Sequence, residues 1–218
     1  MGLFLDSANV DDVMKSSSLG FVQGATTNPS LLIKAEHKDF YQALKFLCTR
    51  FRGPVFYQLT KHDLDGMEKE YSRFKGIAEN IGFKIPCTIN GLKFAAQISR
   101  HSVVAVTSVF NPSQAYLAAQ AGAQYVIPYV NRATRFTGDG VNLLRSIVEV
   151  ISTENCGVLA AGIKSAAEAV DSILAGCQHI SVPYDVIIDM AENGLSQMAI
   201  NDFDQIIVDA KGLHDVMG

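Results

Sequence analysis

The segment Ile81-Gly-Phe-Lys-Ile-Pro-Cys87 is typical of a buried strand that carries one charged residue, Lys84. A strand covered on both faces appears in a sequence as a nearly continuous apolar run. An ammonium group inside such a strand is costly unless it is paired or neutral. The neutral amine of a desolvated lysine can attack a carbonyl carbon and form a Schiff base, so Lys84 is a candidate nucleophile. The alternative for this segment alone is a lysine at a strand end whose amine reaches water.

Short apolar strands recur along the whole chain, and segments with helical periodicity separate them. The predicted strands are Leu3–Asp6, Phe21–Thr26, Pro54–Thr60, Ile81–Cys87, Val103–Ser108, Tyr125–Tyr129, Cys156–Ala161 and His179–Pro183. Helical patterns lie near residues 10–17, 37–51, 63–79, 90–100, 112–121, 139–153, 165–175 and 185–193. This alternation predicts an α/β fold, the (β/α)8 or TIM barrel.

An open doubly wound sheet is the alternative fold. Its dinucleotide-binding form carries GxGxxG after the first strand, and here that position reads Asp6-Ser-Ala-Asn9. A short internal repeat also favours the barrel. Ala121-Gly-Ala-Gln-Tyr-Val-Ile-Pro-Tyr129 resembles Ala175-Gly-Cys-Gln-His-Ile-Ser-Val-Pro-Tyr184, and each copy is typical of a helix end, a glycine turn and a strand.

A further helix is predicted at about residues 195–218, after the eighth strand. Its apolar positions are Met198, Phe203, Ile206, Ile207, Ala210 and Leu213. A closed barrel does not need this helix, so we expect it to pack on its own barrel or, preferably, on a neighbouring subunit. Because no linker or low-complexity stretch interrupts the chain, residues 1–218 are predicted to form a single domain.

Composition narrows the classes of function. The 218 residues are 48% hydrophobic with a net charge of -4, which is ordinary for a globular protein and disfavours nucleic acid as a partner. No apolar stretch approaches the roughly 20 residues of a membrane span, and the N-terminus has no pattern of an export signal. The four scattered cysteines lack CxxC spacing, so we expect reduced thiols, no metal site and a cytoplasmic location.

Polar residues stand at the ends of most predicted strands, where the active site of a barrel forms. In chain order they are Asp6, Thr26 with Asn28, Gln58, Lys84, Thr107, Tyr129 and, just beyond the strand, Arg132. Each could singly be a turn or rim residue, and Arg132 could form a surface ion pair. Together with a buried lysine they indicate a reactive site.

This set of residues suits chemistry on a ketone. A lysine amine condenses with a ketone to an iminium ion, which accepts electrons while the neighbouring C–C bond breaks or forms. Tyr129, Asp6 or a water molecule held by them could move the proton. Arg132 is placed to bind a phosphate group through two hydrogen bonds, and Lys164 could add a second positive charge.

The motifs resemble those of the small transaldolase and fructose-6-phosphate aldolase family along almost the whole chain. The matching segments are Leu5-Asp-Ser-Ala8, Gly24-Ala-Thr-Thr-Asn-Pro-Ser30, Lys84-Ile-Pro-Cys-Thr88, Gly91-Leu92, Ala121-Gly-Ala123, Pro128-Tyr-Val-Asn-Arg132 and Leu159-Ala-Ala161. The resemblance implies a class I aldolase barrel with Lys84 as the Schiff-base residue and no metal or organic cofactor. It also implies a sugar-phosphate or ketose substrate, and a homo-oligomer, pentamer or decamer, in which the terminal helix docks on a neighbour.

Two positions divide that family. Transaldolases have glutamate on the third strand and phenylalanine on the sixth, whereas the aldolases have glutamine and tyrosine, as do Gln58 and Tyr129 here. The resemblance therefore implies reversible cleavage of fructose 6-phosphate, or a close analogue, to dihydroxyacetone and glyceraldehyde 3-phosphate. A transaldolase of the pentose phosphate pathway is the first alternative, and a non-catalytic barrel that binds a sugar phosphate is the second.

The resemblance also implies roles for the remaining residues. Tyr129 would be the general acid and base, with Gln58 and Thr107 holding a catalytic water. Asp6, Thr26 and Asn28 would contact substrate hydroxyls, while Arg132, Gly162 and Lys164 would contact the phosphate. Where the family has a serine after Leu-Ala-Ala, this chain has Gly162, which retains a backbone N–H but lacks the hydroxyl.

Overall fold

The described part of the chain folds as a (β/α)8 barrel. The computed structural model describes residues 2–216, with side chains described as far as residue 210. Within these residues eight parallel strands pair in chain order and close on each other, β1 pairing with β8. The strands are β1 Gly2–Asp6, β2 Val22–Thr26, β3 Val55–Gln58, β4 Ile81–Pro86, β5 Val103–Val109, β6 Tyr125–Pro128, β7 Gly157–Ala160 and β8 His179–Val182.

Helices surround the barrel and connect its strands. They are α1 Val10–Ser18, α2 Pro29–Lys34, α3 Phe40–Arg50, α4 Leu64–Phe74, α5 Ile89–Ile98, α6 Pro112–Gln120, α7 Val130–Thr137, α8 Gly140–Val150, α9 Ala166–Leu174, α10 Tyr184–Ala191 and α11 Gly194–Val216. Most begin at a residue whose side chain accepts a hydrogen bond from a backbone N–H of the first turn, as Asn111 and Ser165 do for α6 and α9. Such caps satisfy donors that have no partner inside the helix.

Side-chain alternation along the strands separates an outer apolar layer from the barrel interior. Leu5, Tyr57 and Phe83 belong to the large cluster between strands and helices. Their neighbours on the same strands point inward, because successive residues of a strand face opposite sides of the sheet. The inner cluster consists of Phe4, Phe56, Ala105, Ile127, Leu159 and Ala161, which fill the barrel below the strand ends.

The eight predicted strands are confirmed, with ends that shift by at most two residues, and so are the eight predicted helices. Two helices were not predicted. The first, α2, starts where Asn28 caps the chain and Pro29 takes the first helical position, a signal visible in the sequence. The second, α7, directly follows the sixth strand and ends at Gly138, whose φ of 85° is left-handed.

The predicted terminal helix is present as α11, and its side chains from residue 195 to residue 210 are exposed. Met198 and Phe203 are 62% and 65% exposed, so this stretch does not pack on its own barrel. The side chain of Leu213 lies outside the described residues. No helix in the described part of the chain is long and apolar enough to cross a membrane. All four cysteines are free thiols, as expected.

An aromatic group closes the N-terminal end of the barrel. Tyr125 and His179, the first residues of β6 and β8, pack edge to face with ring centres 5.2 Å apart. The His179 ring also meets Phe4 at 5.9 Å. The Nδ1 atom of His179 is buried and has no hydrogen-bond partner among the described residues. Burial therefore lowers the pKa of His179 below its ordinary value of 6.5.

This histidine should make stability depend on pH. Because the folded-state pKa is lowered, its contribution is complete above pH 6.5 and is lost as pH falls from there through the lower folded pKa. We expect the free energy of unfolding in urea to fall over this window, and the fall to be smaller in a His179→Phe variant. The same change at exposed His62 is the control and should leave the fall intact. An equal fall in His179→Phe would contradict the assignment.

Candidate active site

Lys84 lies inside the barrel near the carboxyl ends of the strands and is only 2% exposed. Its neighbours Phe83 and Ile85 both belong to the outer apolar cluster, so alternation turns the lysine inward. The Nζ atom donates a long hydrogen bond of 3.4 Å to the Thr27 carbonyl oxygen. It also lies 5.7 Å from the centre of the Tyr129 ring. The strand-end lysine with a hydrated amine is therefore the wrong interpretation.

Tyr129 follows β6 and reaches the amine from the other side of the cavity. Its hydroxyl oxygen accepts a hydrogen bond of 2.9 Å from Thr107 Oγ1 on β5. Since Thr107 is the donor, the hydrogen of the tyrosine hydroxyl is available to a group in the cavity. Phe110 packs against the ring at a centre distance of 5.9 Å and an interplanar angle of 83°. The ring is thus held in place between strand β5 and the mouth.

A bulge at the end of β5 brings a further hydroxyl to the cavity. The register of β5 and β6 shifts between Thr107 and Val109, and Ser108 has a φ of 60°. A non-glycine residue in this left-handed region is uncommon and occurs often at functional sites. Ser108 lines the cavity, and nothing in its sequence context had indicated this.

Gln58 on β3 pairs in register with Lys84 on β4. Its Oε1 atom is buried, lines the cavity and has no hydrogen-bond partner among the described residues. A buried carbonyl oxygen without a partner is unfavourable unless water or a ligand donates to it. The amide is therefore oriented to accept a hydrogen bond from a molecule in the cavity.

Asp6 ends β1 and is held by a relay of hydroxyl groups. Thr26 Oγ1 donates to Asp6 Oδ1 at 2.8 Å and lies 2.7 Å from the hydroxyl of Ser181 on β8. Because the single hydroxyl hydrogen of Thr26 goes to Asp6, Ser181 is the donor in the second contact. Ser181 is fully buried and was not among the predicted residues, since it is an isolated polar residue in an apolar strand.

Asn28 both caps a helix and lines the cavity. Its Oδ1 accepts from the backbone N–H of Leu31 at 3.0 Å, which caps α2, and the residue also lines the cavity. The cap uses the carbonyl oxygen, so the amide nitrogen remains as a donor. Capping and ligand contact are therefore compatible at this position.

The rim of the cavity is cationic. Arg132 and Lys164 are both exposed and line it, with the Arg132 guanidinium 5.4 Å from the centre of the Tyr129 ring. Glu168 connects the two sides of this rim, since it accepts 2.7 Å hydrogen bonds from Asn131 Nδ2 and from the backbone N–H of Lys164. This bridge was not predicted, because it joins residues that are distant in the sequence.

Gly162 lies between these groups and has a φ of 68°. A Cβ atom built there would meet only Tyr129, at 3.7 Å or more, so space does not require glycine. The left-handed backbone does favour it, because other L-residues are strained in that conformation. The backbone path after β7 thus favours glycine, although Ser108 shows that a side chain is tolerated at a similar φ of 60°.

These residues surround one cavity of about 590 Å³ at the carboxyl ends of the strands. Of the predicted site residues, eight line it: Asp6, Asn28, Gln58, Lys84, Tyr129, Arg132, Gly162 and Lys164. The other two, Thr26 and Thr107, are buried behind the wall and contact Asp6 and Tyr129. Lys34 and Arg135 also line the cavity but were missed, because they belong to the unpredicted helices α2 and α7.

The arrangement unites the groups that Schiff-base chemistry needs. A buried amine can attack a carbonyl carbon, an adjacent phenol can move protons, and cations at the rim can hold an anionic substituent. In the described part of the chain no group of three His, Cys, Asp or Glu side chains could hold a metal ion.

Comparison with known proteins finds matches along nearly the whole chain. The sequence profile described as "Transaldolase/Fructose-6-phosphate aldolase" matches residues 3–215. A "Probable transaldolase" of Methanococcus vannielii is 36% identical over 206 residues, which cover 93% of this chain and 95% of that protein. Proteins of the same description from Desulforapulum autotrophicum and Oceanobacillus iheyensis are 34% and 35% identical, each over 93% of this chain and over 95% and 96% of their own lengths.

Among solved structures, a mandelate oxidase with (S)-2-phenylpropionate superposes with a TM-score of 0.60. The match covers 84% of this chain and 64% of that one at 14% sequence identity, so it concerns the barrel fold alone. The family assignment rests instead on the sequence match along nearly the whole chain. This protein belongs to the transaldolase/fructose-6-phosphate aldolase family.

Proposed function

We propose that this chain uses Lys84 to form a Schiff base with a ketose phosphate and transfers the three-carbon ketol unit to an aldose phosphate. The observation that carries the proposal is the buried Lys84 amine beside the hydrogen-bonded hydroxyls of Tyr129 and Thr107. Relatives that align with 93% of the chain and carry the description "Probable transaldolase" support transfer. Such a transfer is a step of the pentose phosphate pathway.

The proposed reaction begins at the ketone carbon. The neutral Lys84 amine adds to it, and the carbinolamine loses water to give an iminium ion. A base takes the proton of the C4 hydroxyl, the C3–C4 bond breaks, and its electron pair moves into the iminium to give an enamine. An aldehyde leaves. The enamine then attacks the aldehyde of the acceptor, whose oxygen takes a proton, and hydrolysis frees Lys84.

Tyr129 is proposed to carry the protons in these steps. Its hydroxyl accepts from Thr107, which leaves its own hydrogen to donate towards the substrate. Gln58, whose Oε1 has no partner among the described residues, would orient a water molecule together with Thr107. Asp6, steadied by Thr26, would bind substrate hydroxyls.

The phosphate is proposed to lie at the rim. Arg132 and Lys164 would neutralise it, and the Gly162 backbone N–H would donate a further hydrogen bond. Asn28 would use its amide nitrogen for a substrate hydroxyl while its oxygen caps α2. The free thiols of the four cysteines support a cytoplasmic setting for such an enzyme.

The second candidate is cleavage of fructose 6-phosphate with release of dihydroxyacetone. The pair Gln58 and Tyr129 favours it, because the aldolase branch that the sequence resembles has these residues. In this reaction Tyr129 would protonate the enamine carbon, and water would then hydrolyse the iminium without an acceptor aldose.

The terminal helix is proposed to dock on a neighbouring copy in a homo-oligomer. Leu195, Met198, Phe203, Ile206 and Ile207 are 52% to 75% exposed on α11. An apolar stripe of this extent is typical of a surface that a partner covers.

The function is tested by trapping and by product analysis. Borohydride with fructose 6-phosphate should fix an adduct on Lys84, found by peptide mass spectrometry, and a Lys84→Met variant should form none. We expect that variant to fold, because methionine fits an apolar site, and to lose about 10³-fold or more in activity. Absence of any adduct in the wild-type protein would overturn both candidates.

The same preparation decides between the candidates. With fructose 6-phosphate alone, transfer predicts almost no free dihydroxyacetone, and with erythrose 4-phosphate added it predicts sedoheptulose 7-phosphate. Rapid release of dihydroxyacetone without an acceptor would replace transfer by aldol cleavage.

The Thr107–Tyr129 hydrogen bond should affect rate more than Schiff-base formation. Thr107→Val removes the hydroxyl at nearly constant shape, and we expect kcat to fall about tenfold, the value of one lost hydrogen bond near a reacting group. Borohydride trapping should persist, and Thr107→Ser should restore most of the rate. If Thr107→Val kept full activity, the positioning role would be wrong.

Assembly is tested by light scattering. We expect the wild-type chain to have a molar mass of several subunits. Phe203→Glu with Ile207→Glu should lower it to that of one chain, because charge in the apolar stripe opposes docking. Gln197→Glu with Asn201→Asp adds the same charge on the face of α11 away from Phe203 and Ile207 and should leave the mass unchanged. An oligomer that survives the double substitution would contradict docking through α11.

A further inference from the structure

The mouth of the cavity carries more positive charge than one phosphate requires. Lys34, Arg132, Arg135 and Lys164 all line it, whereas Asp6 is the single acidic residue among the described lining residues. A phosphate monoester carries roughly -1.5 to -2 charges at pH 7, which two cations can neutralise. If Arg132 and Lys164 bind that group, Lys34 and Arg135 remain at the same opening.

The two arginines are placed to act on one ligand. Arg132 and Arg135 are three residues apart on α7, so they lie on one face of the helix with Cβ atoms about 5–6 Å apart. Two like charges at this spacing are unfavourable in an isolated helix. An anion bound close to both guanidinium groups would offset their repulsion.

Lys34 reaches the cavity from a different helix. It is the last residue of α2, whose N-cap residue Asn28 also lines the cavity. A cation in the last turn of a helix also interacts favourably with the helix dipole, and both Lys34 and Arg135 occupy such turns. The dipole does not require either side chain to line the cavity, yet both do.

We propose that Lys34 and Arg135 form a second anion subsite beside the one made by Arg132 and Lys164. The mouth would then bind a ligand with two adjoining phosphoryl groups more tightly than a ligand with one. The inference rests on the proposed function, which assigns the first subsite to the substrate phosphate. A free diphosphate or a nucleoside diphosphate has the required chemistry and would compete with the sugar phosphate.

Calorimetry with the full chain tests the second subsite directly. The probes are orthophosphate, pyrophosphate and ADP, at one pH and one ionic strength. In the wild-type protein we expect pyrophosphate to bind about tenfold or more tightly than orthophosphate, as one or two added charge-assisted hydrogen bonds imply. In Lys34→Ala with Arg135→Ala, that ratio should fall to nearly one.

A matched control removes the same charge elsewhere. Lys93 and Arg145 are exposed on α5 and α8 and do not line the cavity. Lys93→Ala with Arg145→Ala should therefore keep the wild-type ratio, which separates a local subsite from a change in net charge.

The affinity for ADP, compared with that for pyrophosphate, distinguishes the two sources of the ligand. Tighter binding of ADP than of pyrophosphate indicates a nucleotide, and weaker binding indicates a free diphosphate.

Equal affinity for orthophosphate and pyrophosphate in the wild-type protein would overturn the proposal, as would a ratio unchanged by the double substitution at residues 34 and 135. The readout is binding and involves no turnover. It can also be repeated with Lys84→Met, so a failure here is distinguishable from a failure of the Schiff-base function.

Discussion

The site depends on the burial of a single amine in a strand whose neighbouring side chains are anchored in the outer core. Phe83 and Ile85 pack between strands and helices, and their alternation with Lys84 turns the lysine into the barrel, where it is almost fully buried and lines the cavity. Its surroundings are a backbone carbonyl and an aromatic ring. The amine faces the cavity, where it is placed to meet a carbonyl carbon of a bound molecule.

Much of this arrangement could be predicted from the sequence because it follows local rules. Apolar strands that alternate with helices predicted the barrel, and polar residues at strand ends predicted the cavity wall. The glycines of the internal repeat, Gly122 and Gly176, have left-handed φ values of 79° and 96°, as helix ends require. Lys84 was found since a charge in an apolar run is conspicuous.

The remaining site residues could not be predicted, because their roles depend on contacts between residues that are distant in the sequence. Ser181 lies on β8, which closes the barrel against β1, and its hydroxyl contacts Thr26, which donates to Asp6. Glu168 accepts hydrogen bonds from Asn131 and from the backbone of Lys164 in the loop after β7. Lys34 and Arg135 were not predicted as site residues because they lie on the short helices α2 and α7, where no helix was predicted. The capped start at Asn28 and the glycine at 138 were available as signals for both.

The backbone at Gly162 restricts how the substrate range of this protein can be altered. Its left-handed conformation disfavours a side chain there, so a hydroxyl introduced by Gly162→Ser would cost about 1–2 kcal/mol in stability. The short helices α2 and α7 impose no such limit, since Lys34 and Arg135 are exposed at their ends. Directed evolution of acceptor preference should therefore start with libraries in these two helices and leave position 162 unchanged.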